Sequence, residues 1–332
     1  MKAQMTKMAV QPAPAMRSKM QIKKANSKIV FILLFMTFFV TGCSKGNFNA
    51  SYIGEDYGVK PNEALVAAKN AMYDGFVDRR FIKIGEELIP IESAVGRNGY
   101  REDGFVKDES TGYLTYSPDG EKKCKLGIDV SRHNGEINWE LVKSSGISFA
   151  FIRLGYRGYG TGKMGKDENY DINMAGATAS GIPKGVYFYS QAISYEEGVE
   201  EANFVLSNLE GYTLQYPVVY DTEDAENADA RTNNMTPMEH TDAAKGFCDT
   251  IQAAGHEVMI YANKNWFVKN LEVVALKDYP WWLAQYAEKP SFPYRFKIWQ
   301  YSAKGKVPGI KGKTDMNIEF LDDLEEVLPI SE

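Results

Sequence analysis

The sequence predicts an α/β barrel over residues 123–328, and three observations carry that reading. From Cys124 onward, short apolar runs alternate with amphipathic stretches, the pattern of a mainly parallel sheet with right-handed crossovers. Eight strand-like runs fit in this span, enough to close a barrel. The helices thin out after the fifth run, so the last third should be irregular. An open doubly wound sheet is the competing architecture. No glycine-rich phosphate loop follows the first strand, however, so dinucleotide binding lacks support.

The elements follow in order. Leu126–Val130 is strand-like, and Asn138–Ser145 is helical and stopped by Gly146. Ser148–Leu154 is a second strand, and the helix Asn169–Ser180 ends at Gly181 and Pro183. Lys184–Tyr189 (KGVYFY) is a third strand, after which Ser194-x-x-Glu197 opens a helix to Leu209 with a capping box. Pro217–Tyr220 is a fourth strand. Thr236-Pro237-Met238-Glu239 is a second capping box with proline at the first helical position, and its helix ends at Gly255. Val258–Ala262 is a fifth strand, followed by a short helix near Lys264–Asn270. Trp281–Tyr286, Lys297–Tyr301 and Asp315–Ile318 are strands with little helix between them.

The chain has 332 residues, 44% hydrophobic and 25% charged, an ordinary globular balance. Its net charge of −6 conceals an asymmetry. Seven of the 38 basic residues and no acidic ones fall within residues 1–42, which leaves 31 basic against 44 acidic residues in the remainder. A body that acidic is a poor partner for a phosphate backbone, and nucleic acid binding is not expected. Within residues 1–42, Ile29–Val40 (IVFILLFMTFFV) is an apolar run of twelve residues. As a helix it would rise about 18 Å, short of the ~30 Å hydrocarbon core, so it reads as an export signal rather than a membrane span.

The run ends Val40-Thr41-Gly42-Cys43, which resembles the lipobox of bacterial lipoproteins. That resemblance implies acylation of Cys43 and a lipid-anchored protein, exported and facing the cell wall. Residues 43–122 then form a tether or small, partly ordered N-terminal segment; Asn62–Tyr73 has helical spacing among turn-rich stretches. Cys124 and Cys248 remain. Barrel placement puts them nearly opposite each other, beyond the ~7 Å Cα limit of a disulfide, and both are expected to stay free.

Acidic residues recur where strands should finish: Asp129 in GIDVS, Asp221 and Glu223 in VVYDTED, and Asp315 in KTDMNI. In a parallel barrel those ends share one face. Asp221 and Glu223 are two residues apart and point the same way if the strand continues through them. Such a pair suits acid/base work on a glycosidic bond, because burial and a neighbouring carboxylate hold one carboxyl protonated near neutral pH. A hydrated acidic loop is the plainer alternative for DTEDAENAD, and a calcium loop is disfavoured by the missing central glycine and terminal glutamate spacing.

Several blocks together resemble glycoside hydrolase family 25, the exported muramidases often called lysozymes. They are Gly127-Ile-Asp-Val-Ser131 with Asn134-Gly135 and Ile137-Asn-Trp139, Gly185-Val-Tyr-Phe-Tyr189, Tyr220-Asp-Thr-Glu-Asp224, Ile260-Tyr261, Trp282-Leu-Ala-Gln-Tyr286, Trp299-Gln-Tyr301 and Asp315-Met-Asn317. The resemblance implies an irregular TIM-like (β/α)5β3 barrel that hydrolyses the β-1,4 bond between N-acetylmuramic acid and N-acetylglucosamine. Glu223 would be the general acid, Asp221 an orienting or stabilising carboxylate, and Asp129 and Asp315 would complete the acidic floor. Asn134 departs from the glutamine of many members, and Arg153 occupies a variable strand position.

Tyr187, Tyr261, Trp282, Tyr286 and Arg153 are the candidate substrate-binding residues, with core packing the alternative for Tyr261 and Trp282. His133, His240 and His256 show no metal-ligand spacing; no metal or cofactor is expected. The partner implied is the glycan strand of peptidoglycan, met by a monomer. Two other functions compete: a wall-binding lipoprotein that keeps the barrel without activity, and a chitinase-like hydrolase. The upstream acids of the latter's D-x-x-D-x-D-x-E strand end are missing from VVYDTE.

Overall fold

The computed structural model describes residues 81–321. The export signal, Cys43 and the helix read at 62–73 lie outside the described residues. From Ile82 onward the described residues form one compact unit. Two small two-stranded sheets come first, β1 (Phe81–Ile84) with β2 (Glu87–Pro90), and β3 (Phe105–Lys107) with β4 (Leu114–Tyr116). The barrel chain then runs β5 (Cys124–Val130), α1 (Trp139–Ser144), β6 (Phe149–Arg157), β7 (Met164–Lys166), α2 (Tyr170–Ala179) and β8 (Lys184–Tyr189). It continues α3 (Tyr195–Asn208), β9 (Val218–Asp221), α4 (Pro237–Ala253), β10 (Val258–Asn263), α5 (Lys264–Lys269), β11 (Trp281–Ala284), β12 (Ile298–Gly305) and β13 (Thr314–Phe320).

Eight strands close a ring in the order β5-β13-β12-β11-β10-β9-β8-β6, sealed by β5 pairing with β6. Closure leaves no edge in the ring. Ring neighbours are parallel except β13, which is antiparallel to both β12 and β5. A strand not read from the sequence, β7, pairs antiparallel with β6 outside the ring. Helix starts follow the caps seen in the sequence. Thr236 and Glu239 form a reciprocal capping box at α4, and Ser194 accepts from the Glu197 N–H at α3.

Strand alternation sorts the side chains. Phe149, Phe151, Val219, Met259, Tyr261, Trp282 and Ile298 fill the barrel interior, while their neighbours in sequence face the outer layer. Two glycines of the conspicuous sequence blocks make room for this interior. A Cβ on Gly127 would lie 2.3 Å from the Phe149 ring, and one on Gly185 would lie 2.5 Å from the Pro217 carbonyl oxygen and 2.6 Å from the Phe151 ring.

The last three strands carry no helices, so their outer faces need another cover. Residues read from the sequence as part of the tether supply it. Tyr100 stacks on Phe320 at 3.7 Å and donates its hydroxyl to the Phe296 carbonyl at 2.7 Å. Phe105 meets Trp299 edge-on at 5.3 Å, Tyr116 meets Phe320 at 5.2 Å, and the Leu114 N–H donates to the Tyr301 hydroxyl. The compact unit begins near Ile82 and includes these residues. Cys124, the first residue of β5, and Cys248, inside α4 with Ala244, Phe247 and Ile251, are both buried and free.

Candidate active site

Three strands bring the four acidic residues to one rim of the barrel. Asp129 is the penultimate residue of β5 and Asp221 the last of β9, with Glu223 two residues beyond. Asp315 is the second residue of β13, a strand start and not the strand end that the sequence suggested. Because β13 runs antiparallel, its start reaches the rim formed by the C-terminal ends of the other strands. Strand β9 stops at Asp221, yet the alternation persists: Thr222 turns outward and its hydroxyl oxygen accepts from Trp266 Nε1 at 2.9 Å. Asp221 and Glu223 stay on the inner side together, where Glu223 and Asp129 act electrostatically on Asp221, and Asp129 and Glu223 on Asp315.

Burial raises all four acids, and repulsion by neighbouring carboxylates adds to it at Asp221, Glu223 and Asp315. Burial pushes Asp129 up to about 6, opposed by side-chain hydrogen bonds from Asn317 and Gln300. Burial, then the charges of Asp129, Glu226 and Asp224, push Glu223 up to about 7. Burial, then Asp129 and Glu223, push Asp315 up to about 8. Asp221 is raised well above the carboxylate range by burial and by Glu223 and Asp129, with Arg153 opposing. Its Oδ1 is buried and has no hydrogen-bond partner. The site thus presents a half-buried carboxyl that holds its proton near neutral pH beside a carboxylate that releases one earlier, and a buried carboxyl oxygen left free for an incoming donor.

The five candidate substrate-binding residues divide. Tyr286 is 60% exposed, its ring open to solvent while its hydroxyl donates to Gln300 Oε1 at 3.1 Å. Tyr187 is half-buried, with Asp129, Asp221, Asp315 and Arg153 as its charged neighbours. Trp282 is only 2% exposed; its ring stacks on Phe151 at 4.6 Å and takes Tyr261 edge-on, so the packing alternative holds for it. Tyr261 is likewise buried, its hydroxyl donating to Gln300 Oε1 at 2.9 Å. Arg153 is half-buried and pinned, Nε to Asp167 Oδ2, at 2.7 Å.

Sequence reasoning gave no role to several residues that build the site. Asp167, which holds Arg153, also accepts from the Arg132 and Asn169 N–H groups. Tyr189 has Asp221, Glu223 and Asp224 as charged neighbours. The same-face spacing of Tyr187 and Tyr189 in KGVYFY could have found it. Gln300 and Asn317 were visible only as members of their blocks. Asn134 serves the backbone: its Oδ1 accepts from the Ser131 N–H in a capping box. His240 is buried edge-on against Trp266. Among the described residues, no three His, Cys, Asp or Glu side chains are arranged to hold a metal ion.

Residues 128–310 match the family described as glycosyl hydrolases family 25. Lysozyme M1 of Streptomyces globisporus is 30% identical over 202 residues, 58% of this chain and 66% of that protein. An autolytic lysozyme of Clostridium acetobutylicum is 27% identical over 201 residues, 60% of this chain and 56% of that protein. The chain therefore spans less than two thirds of the length of either relative. The solved structure of the modular autolysin LytC from Streptococcus pneumoniae superposes with a TM-score of 0.55 at 21% identity, over 73% of this chain and 67% of that one, a likeness of fold.

Proposed function

Because the chain belongs to glycosyl hydrolases family 25, we propose that it is a peptidoglycan muramidase, cleaving the β-1,4 bond between N-acetylmuramic acid and N-acetylglucosamine. The observation that carries the reading is Glu223, a half-buried carboxyl held up to about 7 among three other acids on the barrel rim. A carboxyl in that state gives its proton to the leaving glycosidic oxygen at neutral pH. Asp221, with its buried and unpartnered Oδ1, is suited to orient the 2-acetamido group or stabilise the oxocarbenium-like centre. The charge of Asp129 bears on both, and Asp315 is itself held up by Asp129 and Glu223. Tyr286 offers a flat apolar face to a pyranose ring, with Tyr187 and Arg153 at its polar edges.

Release of reducing ends from purified peptidoglycan tests the activity. A wild-type protein that binds the wall and releases none would favour the wall-binding alternative, and release from chitin alone would favour a chitinase-like enzyme.

The protein is further proposed to act as a monomer, exported and held at the membrane by a lipid on Cys43, so that the barrel faces the wall. Two or three acyl chains at one residue make anchoring stable where one would be marginal. Cys43→Ser is expected to release the protein from membranes or leave it as uncleaved precursor. Unchanged lipid labelling and detergent partition in that variant would remove the anchor.

A further inference from the structure

Two buried amides lie beside the acids with no part in the chemistry above. Asn317, on β13, donates Nδ2–H to Asp129 Oδ2 at 2.8 Å. Gln300, on β12, donates Nε2–H to the same oxygen at 2.9 Å. The other end of each amide is tied down as well. Trp282 Nε1 donates to Asn317 Oδ1 at 2.9 Å, and the hydroxyls of Tyr261 and Tyr286 donate to Gln300 Oε1. An indole N–H can only donate, so the Asn317 atom facing it is oxygen, and the NH2 group is left for Asp129. Both amides are almost wholly buried, where a lost partner is costly.

We propose that Asn317 and Gln300 are positioning residues for glycan hydrolysis: their two N–H groups on one oxygen hold Asp129 as the ionised, acceptor-only member of the four acids. The proposal rests on the glycosidase reading of the site. Donors to a carboxylate favour its charged form, and among the described residues no side chain donates a hydrogen bond to Asp221, Glu223 or Asp315. The titratable groups facing Asp129 are Asp221 and Glu223 at the end of β9, Asp315 on β13, Tyr187 on β8, Tyr261 on β10 and Tyr286 beyond β11. The cation among them is Arg153 on β6, which acts on Asp221 and Tyr187. Loss of a proton is thereby directed to Asp129, and the resulting charge helps keep the proton on Glu223. The aromatic residues Trp282, Tyr261 and Tyr286 contribute through the amides they lock.

The test compares wild type with Asn317→Leu, Gln300→Leu and the isosteric Asn317→Asp and Gln300→Glu. Two quantities are read: kcat/KM for glycan hydrolysis against pH, and the 13C NMR titration of the Asp129 carboxyl, identified by its loss in Asp129→Asn. In the leucine variants the Asp129 titration and the acid limb of the profile are expected to move up by about one to two pH units, the worth of one hydrogen bond to a charged group. In Asn317→Asp the new carboxyl still accepts from Trp282. It can donate to Asp129 while the pair shares one proton and repels it once that proton leaves. That variant is expected to stay active to lower pH than wild type, because the first proton of the pair leaves readily. It is also expected to keep its basic limb at or above that of wild type, because the added charge also holds the proton on Glu223; Asn317→Leu gains nothing from acid. An unmoved Asp129 titration in the folded leucine variants, or wild-type profiles in both isosteric variants, would overturn the proposal. Wild-type protein that hydrolyses no glycan would overturn the glycosidase reading instead, and the NMR titration would still decide the amide pair.

Discussion

Asp315 and Asp129 stand directly opposite each other across the antiparallel pairing of β13 with β5. Like charges in facing positions destabilise a sheet, so the two share the burden unequally. Asp129 receives two amide donors, and Asp315 is pushed up to about 8 by burial, then by Asp129 and Glu223. An acid raised in the folded state holds a proton that the unfolded chain has already released. Its contribution to stability is therefore lost as pH rises from the unfolded value near ~4 to about 8. Asp315→Asn is expected to leave the melting temperature at pH 4 unchanged and to raise stability at pH 8 by about 1–2 kcal/mol, roughly 3–6 °C. Melting curves at both pH values check it; a variant no more stable than wild type at pH 8 would contradict the ordering of the two acids.

Glu223→Gln is expected to keep the fold and to lose about 10²–10⁴-fold in kcat, because an amide has no proton to give the leaving oxygen. Asp221→Asn should also be severely impaired, since the buried Oδ1 loses its carboxyl character. Turnover numbers on purified peptidoglycan, with circular dichroism as the fold control, measure both. Near-normal hydrolysis by Glu223→Gln would return the DTEDAENAD stretch to the hydrated-loop alternative.

The pH profile of kcat/KM should be bell-shaped, bounded by Asp129 at about 6 on the acid side and Glu223 at about 7 on the basic side. The charge of Asp129 is, after burial, the largest influence holding Glu223 up. Removing that charge with Asp129→Asn lowers the Glu223 value, so the basic limb is expected to move to lower pH while peak activity falls. A basic limb that stays in place, or moves up, would mean that Asp129 does not act on the acid through its charge.

How much of this was legible varies with how each residue is used. Strand β8 was read with its observed limits, Lys184–Tyr189, because a strand buried by a barrel interior on one side and helices on the other is a continuous apolar run. Strand β7, Met-Gly-Lys, has no such signal and exists only through its pairing with β6. Carboxylates at strand ends stand out in a sequence, and three of the four were placed correctly. Asp315 was placed at the wrong end of its strand, since nothing local declares that β13 runs antiparallel. Gln300 and Asn317 carry no local signal, because a neutral amide acquires its meaning only from the Trp282, Tyr261 and Asp129 that tertiary structure brings to it. The cover formed by Tyr100, Phe105 and Tyr116 was hidden for a related reason: its aromatics are scattered among turns without periodicity, and their partners Trp299 and Phe320 are distant in sequence.

That cover leads to the last prediction. The family match begins at residue 128, yet β5, β12 and β13, which carry Asp129, Gln300 and Asp315, have their outer faces against residues upstream of it. Tyr116 is almost fully buried, and its N–H donates to Cys124 Sγ at the first residue of β5. Burying one large aromatic side chain contributes about 1.5–3 kcal/mol, so losing Tyr100, Phe105 and Tyr116 together removes a large part of the ~5–15 kcal/mol that holds a domain folded. A chain beginning at residue 123 is expected to aggregate or to lose most of its urea midpoint relative to one beginning at Ile82. Tyr116→Ala in the full chain should cost about 3–5 kcal/mol. Because the strands under the cover also bear the acids, the shortened chain should lose glycan hydrolysis along with stability. Urea titration of the two truncated chains, with reducing-end release measured on each, checks both expectations. A chain starting at residue 123 with an unchanged midpoint would show that these aromatics decorate the barrel and do not hold it.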